Sequence, residues 1–319
     1  MILSVTLNAA VDQIFFIEGL KAHDTNRVRE VQTDAGGKGI NLSRIVGEMG
    51  GLSVATGFLA GSTGAYIRSV LDHQGVTHDF VEVPGETRIN LSVESGDGPP
   101  TTFNQRGPEI SAEAWAELKA KLSDRARSAE WVAFGGSLPP GVTPEAFVEL
   151  GQIARDAGAK VLIDADGEPM RQAMAWGPDL IKPNRAEAER LLGHDLPDRA
   201  AEERALAELL QQLREAGSTD PTVVLSLGGD GALLGRAEGA WFAPAVSISV
   251  RSTIGSGDSL LGGLLASRQR GEDWPTALSW GAAAGAATAT TDGTQIGRRA
   301  DIWALQPQVH VIALGTGIL

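Results

Sequence analysis

Trp131-Val132-Ala133-Phe134 runs into Gly135-Gly136-Ser137, a helical pattern follows from Pro144 to Ala157, and Val161-Leu162-Ile163-Asp164 comes next; this stretch decides the fold. Its two short runs are apolar throughout, as strands covered on both faces must be, and the segment between them has helical periodicity. A strand, a crossover helix and a second strand of these lengths make a βαβ unit with parallel strands. The alternation continues outward in both directions. Residues 1–7, 53–58, 180–182 and 222–227 read as strands, and residues 64–73, 200–216 and 259–270 as helices. The pattern predicts an α/β domain whose mainly parallel central sheet is covered by helices on both faces.

Two stretches break this rhythm. Residues 13–34 and 87–94 mix β-formers with charges, as half-exposed strands do. An edge sheet that covers a site, or pairs with another subunit, has this composition. One domain spanning 1–319, with a lid formed by roughly 12–34 and 86–108, fits better than two independent domains.

In parallel sheets the ligand site lies beyond the carboxyl ends of the strands. The turns there are Gly135 to Gly141, Asp164-Ala165-Asp166, Lys182 to Glu187 and Ser226 to Ala232. Asp12 closes an early strand, where it reads equally as a sugar-hydroxyl ligand or a turn-forming acid. Asp34-Ala35-Gly36-Gly37-Lys38-Gly39-Ile40-Asn41 opens a helix, and its glycines allow close backbone approach to a polyhydroxylated or phosphorylated ligand. Lys38 has no hydroxyl residue after it, so this is not the Gly-x-x-x-x-Gly-Lys-Ser/Thr phosphate loop. Thr253-Ile254-Gly255-Ser256-Gly257-Asp258-Ser259 opens another helix. Its amides and dipole suit a growing negative charge, and Asp258 stands beside them as a proton acceptor. Taken alone, Asp258 is also an ordinary first-turn acid.

A net charge of −13 argues against a nucleic-acid surface but not against an anionic substrate met by a few convergent cations. The absence of cysteine excludes disulfides, thiolate metal sites and a cysteine nucleophile, and fits a reducing compartment. The first residues read as a strand rather than a signal peptide, and no apolar run approaches the ~18 residues of a membrane span. The cytoplasm is the expected location. The five histidines show no metal-ligand spacing, and Trp274, Trp280 and Trp303 read as core.

From Thr6-Leu7-Asn8 to Asp292-Gly293-Thr294 the chain resembles the PfkB branch of the ribokinase family, and its bacterial phosphosugar kinases most closely. Gly36 to Asn41 and Thr253 to Ser259, in that order, carry the likeness. Thr87-Arg88-Ile89-Asn90, Gly136 to Gly141 and Lys182-Pro183-Asn184 add to it. The resemblance implies a ribokinase-like three-layer sandwich with a small β-sheet lid. It also implies transfer of the γ-phosphoryl of ATP, with Mg2+, to a ketohexose phosphate. Fructose 1-phosphate comes first, then tagatose 6-phosphate or fructose 6-phosphate. On this resemblance Asp258 is the base, and Gly255, Ser256 and Gly257 stabilise the transferred group. Asp12, Gly37, Lys38 and Asn41 meet the sugar, and Arg88 and Ser137, helped by Arg27, meet its phosphate. Lys182, Asn184, Ser226, Gly228, Gly229 and Gly231 border the nucleotide, and Asn184 with Glu187 organises Mg2+. Residues 282–288 become a small-residue wall for adenine, and a homodimer through the lid is expected.

Individually, Glu187 also reads as a surface acid, Arg88 as a solvated strand charge, and Asp164 and Asp166 as turn acids outside the site. Ala9 replaces the family's usual proline, Ser256 its alanine or glycine, and residues 309–319 are atypical. A kinase of unphosphorylated sugars or nucleosides and a catalytically silent sugar-responsive regulator are the competing readings. The intact Asp258 stands against the latter.

Overall fold

A computed structural model describes residues 1–315 except 97 and 99. Its main sheet has eleven strands. Ten follow one another in the order Ile312–Leu314, Gly239–Ala243, Ala232–Arg236, Thr222–Ser226, Leu180–Ile181, Lys160–Asp164, Trp131–Gly135, Ile2–Thr6, Ser53–Ala60 and Thr77–His78. The eleventh, Val81–Val83, also pairs with Ser53–Ala60. From Thr222–Ser226 to Thr77–His78 the pairing is parallel, as the βαβ rhythm requires. The remaining three strands are antiparallel.

Alternation within the strands assigns the layers. Leu3, Val5, Val132, Phe134, Val161 and Ile163 face the helices Ala112–Ala126, Ala146–Asp156, Gly167–Trp176 and Arg199–Glu215. Ile2, Trp131, Ala133 and Leu162 face Lys38–Glu48, Ser256–Gln269, Trp274–Ala289 and Arg299–Leu305. Burying both faces of a central strand is worth roughly 1.5–3 kcal/mol per large aliphatic side chain. The first strand turns polar on the second face at Ser4 and Thr6, because the Lys38–Glu48 helix lies directly upon it. Ser4 Oγ and Ser43 Oγ are 2.8 Å apart, and Thr6 Oγ1 accepts the Ile40 N–H at 3.1 Å. A Cβ at Gly39 would stand 2.6 Å from Thr6 Oγ1, so glycine is what lets the helix start so close to the sheet.

A separate four-stranded sheet has the order Val28–Gly36, Ala10–Ile17, Arg88–Glu94, Thr101–Asn104. Its register sets Asp12 opposite both Asp34 and Asn90. The Ser256–Gln269 and Trp274–Ala289 helices pack closely: a Cβ on Gly281 would lie 2.6 Å from the Leu260 carbonyl oxygen, and one on Gly263 2.9 Å from Ala284 Cβ. One expectation needs correction. Trp303 is a surface residue, 37% exposed and tilted against Trp280 at a centroid distance of 4.8 Å and an interplanar angle of 54°, although Trp274 is buried as expected. The atypical tail supplies the edge strand Ile312–Leu314; its last residues, 316–319, lie outside the described ones. Among the described residues, no helix is long and apolar enough to cross a membrane.

Candidate active site

Two loops 217 residues apart in sequence meet at the strand carboxyl ends. Asn41 Nδ2 donates to Asp258 Oδ2 at 2.9 Å. Asn41 sits one turn into the Lys38–Glu48 helix, and Asp258 lies in the first turn of Ser256–Gln269. Gly255 precedes that turn with φ +76°, a left-handed conformation that bends the chain into the helix. The first N–H groups of a helix have no partner inside it, so this turn offers donors and a positive dipole end beside the carboxylate.

Asp164, which the sequence reading set aside as a turn acid, lies at the centre of the charged groups. Its carboxylate is buried, with Lys38 Nζ at 2.8 Å and Lys182 Nζ at 3.4 Å from the same oxygen, Oδ1. The other oxygen, Oδ2, is buried without a partner. A signal for it existed. An acid ending a strand that is apolar on both faces must meet a cation, and two lysines stand at neighbouring strand or helix ends. Lys182 in turn lies under the turn that opens the Ser256–Gln269 helix: a Cβ on Gly257 would stand 3.2 Å from its Nζ.

These charges set the protonation states. Burial, then repulsion from Asp164, pushes the Asp258 carboxyl up to about 6, against the pull of Lys38, Asn41 and Lys182. Burial favours neutral Lys38, but Asp164, Asp258 and Glu187 outweigh it and raise its value, so its ammonium stays charged. Burial also opposes charge on Asp164, yet Lys182 and Lys38 hold its carboxyl below the usual range.

At the small sheet, Asp12 Oδ1 accepts from Asn90 Nδ2 at 2.9 Å. A Cβ on Gly36 would fall 2.0 Å from Asp12 Oδ2, so only glycine leaves room for this carboxylate. Burial raises Asp12 to about 6 as well, opposed by the Asn90 bond and reinforced by Asp34. Arg88, on the neighbouring strand, donates from Nη1 to the Gln105 carbonyl at 3.3 Å, and its Nε is buried without a partner. Ser137 is exposed after the Trp131–Gly135 strand, its Oγ 3.2 Å from Asn8 Nδ2.

Asn184 and Glu187 form a capping box: Asn184 Oδ1 takes the Glu187 N–H at 2.9 Å, and Glu187 Oε2 takes the Asn184 N–H at 2.8 Å. Asn184 pairs with Ser226 in an isolated bridge, which brings Lys182, Asn184, Ser226 and the Gly228–Asp230 turn together. Arg185 ties that turn down through Asp230 at 2.7 Å. Arg27 does not join the site of its own chain. It is exposed just before Val28, at the far end of the strand that ends in Gly36, about 30 Å away at ~3.3 Å per residue. Ser256 Oγ is buried without a partner. A groove of about 690 Å³ lined by Lys119, Glu149, Gln152 and Trp176 contains none of these groups.

The arrangement can take a proton from a hydroxyl, hold negative charge against helix amides and two lysines, and grip a polyol through Asp12 and Asn41. Comparison with known proteins identifies the family. The family model described as "pfkB family carbohydrate kinase" matches residues 2–301. The 1-phosphofructokinase of Borreliella burgdorferi is 34% identical over 291 residues, which cover 91% of this chain and 92% of that one. That of Escherichia coli K12 is 34% identical over 262 residues, 82% of each. Phosphofructokinase-2 from Escherichia coli, solved with substrates and products, superposes with a TM-score of 0.89 at 26% identity, covering 97% of this chain and 99% of that one. The chain belongs to the pfkB family of carbohydrate kinases, which transfer phosphate to a sugar hydroxyl, and its fold is ribokinase-like.

Proposed function

We propose that this kinase phosphorylates a ketohexose phosphate, fructose 1-phosphate before tagatose 6-phosphate or fructose 6-phosphate, with Asp258 as general base. The observation that carries the proposal is the Asn41–Asp258 hydrogen bond, which sets a proton acceptor against the anion-binding turn and two charged lysines. The acceptor hydroxyl gives its proton to Asp258, and its oxygen attacks the γ-phosphorus of ATP. The β–γ bridging P–O bond breaks, ADP leaves with the electron pair, and Asp258 later returns its proton to water. The reaction needs positioning and charge neutralisation more than covalent help from the protein. Amides from Gly255, Ser256 and Gly257 meet the transferred oxygens. Asp12, Gly37, Lys38 and Asn41 hold the sugar, and Arg88 and Ser137 hold the phosphate it already carries. Lys182, Asn184, Ser226, Gly228, Gly229 and Gly231 border the nucleotide. Fructose 1-phosphate is placed first because both curated relatives above are named 1-phosphofructokinase.

Mg2+ fits the residues present. Asp164 Oδ2 has no partner, and only Oε2 of Glu187 serves the cap. Asp164, Glu187 and Asn184 would hold the ion largely through water, as Mg2+ prefers. When bound it would offset the charge of the ATP phosphates.

Arg88→Ala is expected to raise KM for the sugar phosphate about ten- to a hundredfold, the worth of a hydrogen bond to a charged group, with much less effect on KM for ATP. Initial-rate kinetics with each substrate varied check this; equal effects on both would place Arg88 elsewhere. A second outcome concerns pH. The base works only when ionised, so kcat/KM should fall as pH drops through about 6, the value set by burial and Asp164. Asp12, raised to the same region, steepens the fall if it too must be ionised. A pH–rate profile flat down to about 4 would contradict the assignment.

We also propose a cytoplasmic enzyme that works as a homodimer joined through the small sheet. That sheet exposes Val28 (40%), Val31 (50%) and Phe103 (58%), apolar surface that a second copy would cover. Light scattering at micromolar concentration should give twice the chain mass; a monomer would reject the dimer.

A further inference from the structure

Asn8 follows the first strand and is 5% exposed. Its Nδ2 reaches three acceptors: the Arg106 carbonyl at 3.1 Å, Ser137 Oγ at 3.2 Å and the Leu138 carbonyl at 3.3 Å. Two carbonyl partners identify that atom as nitrogen rather than oxygen. An amide nitrogen accepts no hydrogen bond. Ser137 Oγ is therefore the acceptor here, and the hydroxyl proton must point away from Asn8, toward the open side of its loop. Asn8 Oδ1 is buried without a partner, a cost that simple packing would avoid by using an apolar residue.

The same amide joins two loops. The Arg106 carbonyl is bound by Asn8, and the Gln105 carbonyl next to it is bound by Arg88 Nη1. One side chain thus ties the segment that restrains Arg88 to the loop that carries Ser137. We propose that Asn8 is a positioning residue for phosphate recognition: it presets Ser137 as a donor and holds it in register with Arg88. This rests on the phosphosugar reading above and deepens it. A hydroxyl preset as a donor bonds a charged phosphate oxygen more strongly than the neutral oxygen of a sugar hydroxyl. It therefore favours a phosphorylated sugar over its neutral counterpart.

The test begins with Asn8→Asp, which keeps shape and reverses polarity. A carboxylate accepts only, so it draws the Ser137 proton inward and adds negative charge beside the phosphate. KM for fructose 1-phosphate should rise at least tenfold more than KM for ATP. To separate Ser137 orientation from charge, Asn8→Ala is made in the wild-type and Ser137→Ala backgrounds. KM for the sugar phosphate should rise about tenfold when Ser137 is present and less than twofold when it is absent. Equal rises in both backgrounds would overturn the proposal, as would an Asn8→Asp enzyme whose two KM values change in parallel. If Asn8→Ala fails to fold, Asn8→Asp is made in both backgrounds instead, and a rise in KM no larger with Ser137 present than without it would overturn the proposal. A wild-type enzyme that uses unphosphorylated fructose as well as its phosphates would instead sink the phosphosugar reading, whatever the variants do.

Discussion

Asp258→Asn should lower kcat by about 10²–10⁴, the range for losing a general base, while leaving the protein folded. The amide has nearly the same shape, and its oxygen can still accept from Asn41 Nδ2, so the contact between the two loops survives. What disappears is the ability to take a proton. Folding should not suffer, because burial and Asp164 both disfavour charge at this position. A folded-state carboxyl raised to about 6 binds its proton more tightly than the unfolded chain does. Through this group, stability falls as pH rises through the interval from the unfolded value to about 6, and the amide removes that penalty. Steady-state kinetics and a thermal melt check both halves. Near-normal turnover in the folded variant would take Asp258 out of the chemistry.

Asp164→Ala should be the most damaging change to stability, and it should abolish turnover as well. One buried carboxylate pairs with both Lys38 and Lys182, and Lys182 is itself only 4% exposed. Removing a partner from a buried ion pair typically costs about 3–5 kcal/mol, because a charge is left without compensation in a poorly polarisable site. The denaturation midpoint should fall accordingly, and Asp164→Asn should lose less because it keeps the hydrogen bonds. The pH dependence separates this effect from simple cavity formation. The lysines hold the folded-state carboxyl below its usual range, so its contribution is present above the unfolded value and is lost as pH falls through the depressed one. The alanine variant should lack that acid-side loss. An unchanged midpoint would mean that the three charges are not coupled.

The fold was legible because short apolar runs buried on two faces leave few alternatives to a parallel sheet. The antiparallel end was not: Ile312–Leu314 has only three residues, and its pairing with Gly239–Ala243 depends on where the chain arrives. Within the site, the roles implied by the family resemblance set Asn41 and Asp258 at one ligand, and the two residues lie 2.9 Å apart. Asp164 was missed because its importance lies in Lys38 and Lys182, which are remote in sequence. Turn chemistry alone makes a strand-end acid ordinary. Arg27 shows the converse. Its charge suited a phosphate, but strand length carries it to the far end of the small sheet. Asn184 and Glu187 read as ligands, and the capping box between them is a second role that the Asn-x-x-Glu spacing also encodes.

ADP release, followed across fructose 1-phosphate, fructose 6-phosphate, tagatose 6-phosphate, fructose and ribose, tests the whole account most directly. The proposed site predicts ATP-dependent turnover of the ketohexose phosphates, fructose 1-phosphate fastest, and little with the two unphosphorylated sugars. Preferred turnover of fructose or ribose, or no turnover of any sugar phosphate, would contradict it.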